Sequence, residues 1–153
     1  MNIKIIQAKT KEDCEICDKF LSKLIAFESQ IDSNILKTVE IKNMHEKKLN
    51  NEHHYMSIAK LNNIPVGFIY GHLKTPKGLT TAKSIVEVST LYVENDFRNL
   101  GIGKLLMKDF EHWAKSRYDE DCLIEIMYIN NNENAKRFYE KLGYMPVRTT
   151  LRK

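Results

Sequence analysis

The stretch DFRNLGIGKLL, residues 96–106, has the composition of an anion-binding turn. It places one arginine and two glycines, as Arg98-x-x-Gly101-x-Gly103, at the start of a segment with the apolar spacing of a helix. The first N–H groups of a helix lack acceptors within the helix, and the helix dipole places partial positive charge there. Glycines remove the side chains that would keep a phosphate from those amides, and Arg98 can add a charge-assisted hydrogen bond. The pattern therefore predicts a phosphate-binding turn.

Two familiar nucleotide motifs do not match this turn. A P-loop needs Gly-x-x-x-x-Gly-Lys-Ser/Thr, and although Lys104 follows Gly103, Leu105 stands where the hydroxyl belongs. A dinucleotide fingerprint needs Gly-x-Gly-x-x-Gly, and the third glycine is missing here. The residues leave another alternative open, in which both glycines serve only to let the helix pack closely against a strand.

A second segment, NENAKRFYEKLGY at residues 132–144, strengthens the functional interpretation. RNLGIG, residues 98–103, resembles the Arg/Gln-x-x-Gly-x-Gly/Ala signature of the GNAT superfamily of N-acetyltransferases. The second segment resembles that family's N-x-x-A-x-x-F/L-Y-E-K-x-G-F motif, with Tyr144 in place of the usual Phe. The resemblance is close over residues 84–145. Over residues 1–83 only the order of strands and helices agrees.

The resemblance implies that acetyl-CoA is the co-substrate, bound between two splayed parallel strands at residues 84–93 and 121–129. The pyrophosphate would lie on the amides of residues 98–104, and the pantetheine arm would pair with the strand backbone like an added strand. The amide of Leu91 would then stabilise the oxyanion that develops on the thioester. The implied cofactor-binding residues are Leu91, Tyr92, Val93, Arg98, Asn99, Leu100, Gly101, Ile102, Gly103, Lys104 and Asn132.

Two catalytic residues are expected, Tyr139 and Glu87. By resemblance, Tyr139 is the acid that protonates the departing CoA thiolate, although it also shares the apolar face of its helix and would suit the core. Glu87 interrupts an apolar strand four residues before Leu91, where some family members carry a glutamate base. The alternatives are that Glu87 points to solvent or pairs with a basic residue. Asn132 would cap its helix, bind the pantetheine, or do both.

The resulting hypothesis is an N-acetyltransferase that moves acetyl from acetyl-CoA directly to a primary amine in a ternary complex. An acetyl-cysteine intermediate is not expected, because no cysteine falls near the predicted thioester. The acceptor is expected to be a small molecule, and a homodimer is compatible with the sequence. The alternative is a binding protein in place of an enzyme: a CoA-binding sensor without catalysis. A nucleotide-binding domain is disfavoured by the missing P-loop hydroxyl.

The elements that must position these residues read as one α/β domain over residues 1–153. By resemblance its sheet is mixed, mostly antiparallel and twisted, with flanking helices and a splayed parallel strand pair. Residues 28–54 are expected to form one or two short helices with loops, and residues 75–83 a connecting loop. The other expected strands lie at residues 2–9, 84–93 and 122–129, with a hairpin between the first two and a C-terminal edge strand at 144–153. One expected helix is capped by Thr10 and Asp13, and another ends near Gly143. A further helix is expected to present Ile102, Leu105, Leu106 and Phe110 to the core.

The composition argues against several other classes of protein. The chain has 24 basic and 20 acidic residues, and its net charge of +4 is too small for a dedicated nucleic-acid binder. No apolar run suggests a signal peptide or a membrane span. Three cysteines, an odd number, argue against a disulfide framework and favour the reducing cytoplasm. Cys14-x-x-Cys17 lacks a second ligand pair, so no metal site is expected and helix packing is the preferred role.

Overall fold

A five-stranded mixed sheet organises the chain in the computed structural model, which describes residues 2–76 and 80–153. The strands lie across the sheet in chain order: β1 (Ile3–Gln7), β2 (His54–Leu61), β3 (Ile64–Lys74), β4 (Ile85–Val93) and β5 (Leu123–Ile126). The pairs from β1 to β4 are antiparallel, whereas β4 and β5 are parallel. The predicted α/β class and mostly antiparallel sheet with one parallel pair are confirmed. The expected loop at 75–83 lies partly outside the described residues.

Three helices flank the sheet: α1 (Lys11–Glu28), α2 (Ile102–Arg117) and α3 (Glu133–Lys141). The predicted capping box is present, since the Thr10 hydroxyl accepts from the Asp13 amide and the Asp13 carboxylate accepts from the Thr10 amide. Residues 28–54 contain less helix than expected, because after α1 only Glu46–Lys48 forms a 3₁₀ turn. In the described ranges, no helix combines the length and apolarity needed to cross a membrane.

The helices cover opposite faces of the sheet and create two apolar cores. On one face α2 buries Ile102, Leu106 and Phe110 against the sheet. On the other face α1 buries Cys17 and Phe20, together with side chains of β2, β3 and β4. Cys14 and Cys17 are both buried in this second core, which agrees with a packing role.

Two sequence predictions about packing were wrong. Leu105 is 40% exposed, because the neighbouring Leu106 occupies the inward position on α2. The predicted strand at 144–153 does not form, and residues 145–153 are exposed along their whole length. A strand requires a neighbouring main chain, and the described part of the chain supplies none to this segment.

A bulge and a glycine shape β4 beside the predicted site. Tyr70 pairs with Thr90 and Gly71 with Val88, which leaves Ser89 as an extra residue on β4. A Cβ atom at Gly71 would lie 2.5 Å from the Phe110 ring and closer still to the Glu87 carbonyl oxygen. Gly71 therefore allows β4 and α2 to approach β3 at the bulge.

We expect Gly71→Ala to destabilise the protein by about 2 kcal/mol, because the new methyl group meets a backbone carbonyl that cannot move away alone. Chemical denaturation followed by circular dichroism measures the change in the free energy of unfolding. Thr38→Ala, on an exposed residue, is the control and should change it by less than about 0.5 kcal/mol. Equal stability of Gly71→Ala and the wild type would contradict the close approach.

Candidate functional site

The glycine-rich turn joins β4 to α2 through two left-handed residues. After a 3₁₀ turn at Asn95–Phe97, Asn99 has a φ of 63° and Gly101 a φ of 80°, and α2 begins at Ile102. A Cβ atom at Gly101 would meet nothing within 4 Å. The positive φ angle at position 101, and not steric crowding, therefore favours glycine there.

The turn presents a run of unpaired main-chain amides. The first helical hydrogen bond runs from the Leu105 amide to the Gly101 carbonyl at 3.1 Å, and no side chain caps the helix. In residues 2–76 and 80–153, the amides of residues 99–104 have no acceptor. The expected run is shorter by one residue, because the Arg98 amide donates to the Asn95 carbonyl at 3.2 Å. These amides lie at the positive end of α2, where an anion is stabilised.

Arg98 fastens this turn to the end of β4. Its Nε donates to the Val93 carbonyl at 3.0 Å, and the guanidinium carbon lies 5.0 Å from the centre of the Phe27 ring and 5.9 Å from that of Tyr92. The terminal Nη atoms form no hydrogen bond with the described residues. Arg98 thus holds the turn in place and keeps a positive charge beside the free amides.

Gly103 has a packing role that Gly101 lacks. A Cβ atom at Gly103 would lie 3.1 Å from the ring of Phe138, so glycine lets α3 pack against the first turn of α2. Gly103 therefore permits packing between two helices, and not the packing of helix against strand that the sequence left open, while the left-handed backbone explains Gly101.

An opening lies between β4 and β5. The two strands pair only from Ile85 with Leu123 to Val88 with Ile126. Beyond that point residues 90–93 stay paired with β3 on one edge, but no described strand pairs with their other edge. The free edge of β4, which includes the predicted residues Leu91, Tyr92 and Val93, leads directly to the glycine-rich turn.

Tyr139, on α3, contacts Tyr128 and Tyr144 and has an unpaired hydroxyl group. The ring is 6.0 Å from the Tyr128 ring and 6.1 Å from the Tyr144 ring, centre to centre. Burial raises the pKa of Tyr139 above its usual value, and the negative charge of Glu28 raises the pKa further. The phenol is therefore protonated at neutral pH, and it forms no hydrogen bond with the described residues.

Asn132 is the N-cap of α3. Its Oδ1 accepts from the Ala135 amide at 3.1 Å, which confirms the capping function. The side-chain Nδ2 makes no hydrogen bond with the described residues and remains a donor. A second role in ligand binding is thus geometrically compatible with the cap.

Glu87 pairs with a basic residue, one of the alternatives that the sequence left open. Lys74 Nζ lies 3.2 Å from a carboxylate oxygen of Glu87 and 2.9 Å from one of Glu125. Glu87 and Glu125 are opposite each other on β4 and β5. The hydrogen bonds to Glu125 and Glu87 raise the pKa of Lys74, so the lysine stays charged between the two carboxylates.

Glu87 belongs to a polar row that the sequence did not reveal. His54 is opposite His72, His72 is opposite Glu87, and Glu87 is opposite Glu125, so one side chain from each of four adjacent strands joins the row. The His54 and His72 rings are 5.6 Å apart. These residues are far apart in the chain, and only the strand register brings them together. Glu28, whose charge acts on Tyr139, was missed for the same reason.

Comparison with known proteins gives a family and a fold for the chain. The model of the Acetyltransferase (GNAT) family matches residues 22–144. The uncharacterized N-acetyltransferase MJ1207 of Methanocaldococcus jannaschii is 28% identical over 87 residues. That match covers 57% of this chain and only 37% of the relative.

Solved structures share the fold over almost the whole chain. A mutant of the BH1408 protein from Bacillus halodurans has a TM-score of 0.82 at 19% identity, with 98% of each chain covered. The aminoglycoside N-acetyltransferase AAC(6')-Iy, solved in complex with CoA, has a TM-score of 0.74 at 14% identity, with 99% of this chain and 97% of that chain covered. At these identities the likeness establishes the fold.

We expect Asn132→Ala to lower the free energy of unfolding by about 1 kcal/mol, because it removes the cap of α3. Urea denaturation measures the loss. Asn131→Ala is the matched control, since Asn131 is exposed and its side chain makes no hydrogen bond with the described residues. Asn132→Asp keeps an acceptor oxygen and should recover most of the stability. Equal losses at positions 131 and 132 would show that the cap contributes nothing.

Proposed function

Because the chain belongs to the acetyltransferase (GNAT) family, we propose that it transfers the acetyl group of acetyl-CoA to a primary amine. One observation carries the proposal: one short turn, residues 94–98, joins the edge of β4 that no described strand covers to the unpaired amides of residues 99–104. A phosphate group can accept hydrogen bonds from the amides of residues 99–104, and an extended chain that contains amides can form hydrogen bonds with the edge of β4. Acetyl-CoA carries both groups in one molecule.

The proposed cofactor site extends along β4 into the turn. The pyrophosphate binds the amides of Asn99, Leu100, Gly101, Ile102, Gly103 and Lys104, with the charges of Arg98 and Lys104 nearby. The pantetheine arm lies along Leu91, Tyr92 and Val93 and is within reach of the Asn132 amide. The Leu91 N–H then points at the thioester carbonyl and stabilises the oxyanion that forms during attack.

The proposed chemistry assigns each proton to a residue. The neutral amine attacks the thioester carbon, a C–N bond forms, and the C–S bond breaks. Glu87, a carboxylate in its ion pair with Lys74, accepts the proton that the amine loses, either directly or through water. Tyr139 donates a hydrogen bond, and finally a proton, to the CoA thiolate. The unpaired and protonated hydroxyl of Tyr139 supports this assignment.

Direct transfer in a ternary complex is the proposed route. Cys14 and Cys17 are buried in α1, on the core side of that helix, and burial raises the pKa of Cys14 to about 11. Cys122 is also buried, just before β5. None of the three lies on the free edge of β4 or in the turn. These free thiols also suit a reducing compartment, for which we propose the cytoplasm.

The acceptor is proposed to be a small amine that arrives as a cation. The polar row carries two carboxylates and one lysine, so its fixed charge is negative when the histidines are neutral. A protonated amine is attracted to such a surface, and Glu87 can deprotonate it there. Aminoglycoside-like amines, polyamines and amino acids all have this chemistry.

We expect acetyl-CoA to bind at least tenfold more tightly than acetyl-pantetheine, which lacks the pyrophosphate, because each charge-assisted hydrogen bond contributes about 1.5–3 kcal/mol. Isothermal titration calorimetry measures both affinities. ATP is the control for general phosphate binding and should bind much more weakly than acetyl-CoA. Binding of ATP without binding of acetyl-CoA would reject the proposed site.

We expect Tyr139→Phe and Glu87→Gln each to lower kcat by about 10²-fold with little change in acetyl-CoA affinity, because each removes one proton transfer. A thiol-release assay over a panel of primary amines measures turnover. Tyr128→Phe is the matched control, since Tyr128 stacks on Tyr139 but has no assigned proton transfer. Unchanged turnover in both variants would remove these assignments. Acetyl-CoA binding without turnover on any amine would favour the sensor without catalysis.

A further inference from the structure

His72, on β3, lies in the polar row close to the point where β4 and β5 separate. It is directly opposite Glu87 of β4, so the two side chains share one face of the sheet, with their Cβ atoms about 5 Å apart. Glu87 and Val88 are the last residues of β4 that pair with β5, and Leu91 follows on the free edge. His72 therefore lies beside the proposed base, at the start of the opening.

The bulge of β4 gives His72 a hydrogen-bond partner. Ser89, the extra residue of the bulge, has its Oγ 3.1 Å from His72 Nδ1. Ser89 is exposed, so this contact lies at the protein surface. His72 Nε2 forms no hydrogen bond with residues 2–76 and 80–153. A hydroxyl oxygen can accept from Nδ1–H in the neutral and in the charged ring, and Nε2 is then the nitrogen that can accept a proton.

A second histidine supports the ring of His72 without competing for the proton. The His54 ring stacks on the His72 ring at an interplanar angle of 20°, and His54 Nδ1 lies 2.9 Å from the Tyr70 hydroxyl. Burial lowers the pKa of His54, and nearby positive charges lower it further. His54 is thus biased to the neutral form, and His72 is the histidine of this pair that is free to take up a proton.

The ion pair with Lys74 gives Glu87 a reason to release any proton that it accepts. Lys74 Nζ lies 3.2 Å from Glu87 Oε2, and only 15% of the Glu87 side chain is exposed. A proton on Glu87 removes the negative charge that attracts Lys74, and this attraction is stronger where solvent is largely excluded. The reference pKa of an imidazole is about two units above that of a carboxyl group. Transfer of the proton to a neighbouring imidazole therefore restores the ion pair and prepares Glu87 for the next turnover.

On the basis of the acetyl transfer proposed above, we propose that His72 is a proton-relay residue, which takes from Glu87 the proton that the amine has lost and releases it to solvent beside Ser89. His72 and Glu87 form no direct ion pair within the described ranges, so one water molecule carries the proton between them. The amine nitrogen loses one proton to the Glu87 carboxylate, Glu87 returns to a carboxylate as His72 Nε2 gains a proton, and the imidazolium gives one proton to water. His72 therefore acts through Glu87 and not on the thioester.

Four strands carry the charged and titratable groups around His72. These groups are His54 of β2, Tyr70 and Lys74 of β3, Glu87 of β4 and Glu125 of β5. Among these types of side chain, only histidine ordinarily changes its charge between about pH 5 and 8. Since burial biases His54 to the neutral form, a change in activity over that range that depends on position 72 reports the proton on His72.

The first test compares kcat of the wild type and of His72→Asn at several pH values, on an amine that the wild type acetylates. Asparagine keeps a polar group near Ser89 but cannot carry the proton, so we expect kcat at neutral pH to fall by at least about tenfold. The ratio of wild-type to variant kcat should shrink towards one as the pH falls to about 5, because a protonated His72 cannot take another proton. Acetyl-CoA affinity, measured by calorimetry, should stay unchanged.

Rescue by free imidazole separates a proton relay from a structural role. Imidazole added to His72→Ala should restore part of the lost turnover, because it can take the proton from Glu87 in place of the missing ring. His112→Ala is the matched control, since His112 is an exposed histidine of α2, and its turnover should equal that of the wild type with or without imidazole. Circular dichroism checks that each variant is folded.

The possible failures are distinguishable. Equal kcat in the wild type and His72→Asn overturns the relay alone. A loss of kcat that is the same at every pH and that imidazole does not restore shows a structural role and also overturns the relay alone. Failure of acetyl-CoA to bind, or of the wild type to acetylate any amine, rejects the proposed function and the relay with it.

Discussion

The candidate site of this protein consists largely of main-chain N–H and C=O groups that the fold leaves without hydrogen-bond partners. The sheet pairs β2 and β3 on both edges, but β5 separates from β4 after Val88 and exposes one edge of residues 89–93. The amides of residues 99–104 follow at once, unpaired because they begin a helix. Unpaired backbone groups are costly to bury, so this continuous run favours a ligand with amides at one end and phosphates at the other.

Close packing around small residues maintains that opening. Gly71 lets Phe110 of α2 contact the sheet at the β4 bulge, and Gly103 lets Phe138 bring α3 against the first turn of α2. Arg98 fixes the turn by holding the last carbonyl of β4. The unpaired amides of residues 99–104 and Tyr139 are consequently carried by elements whose relative positions are fixed by contacts, which is what the proposed site requires.

Electrostatics on the sheet surface complements this backbone site. Lys74 between Glu87 and Glu125 keeps a charged group at the parallel strand pair, where the proposed amine would be deprotonated. Tyr139, on α3, is kept protonated by burial and by the Glu28 charge. In the proposed reaction, Glu87 accepts the proton that the amine loses and Tyr139 donates one to the CoA thiolate.

The amino-acid sequence by itself determined the features that depend on local contacts. The capping box at Thr10, the helix after Gly101, the cap at Asn132 and the free amides of residues 99–104 all follow from neighbouring residues. The tertiary structure decided the rest. Strand register alone placed Lys74 and Glu125 beside Glu87, and Glu28 reached Tyr139 only through packing. The C-terminal strand failed for the same reason, because local propensity specifies an extended chain but only a neighbouring strand can supply its hydrogen bonds.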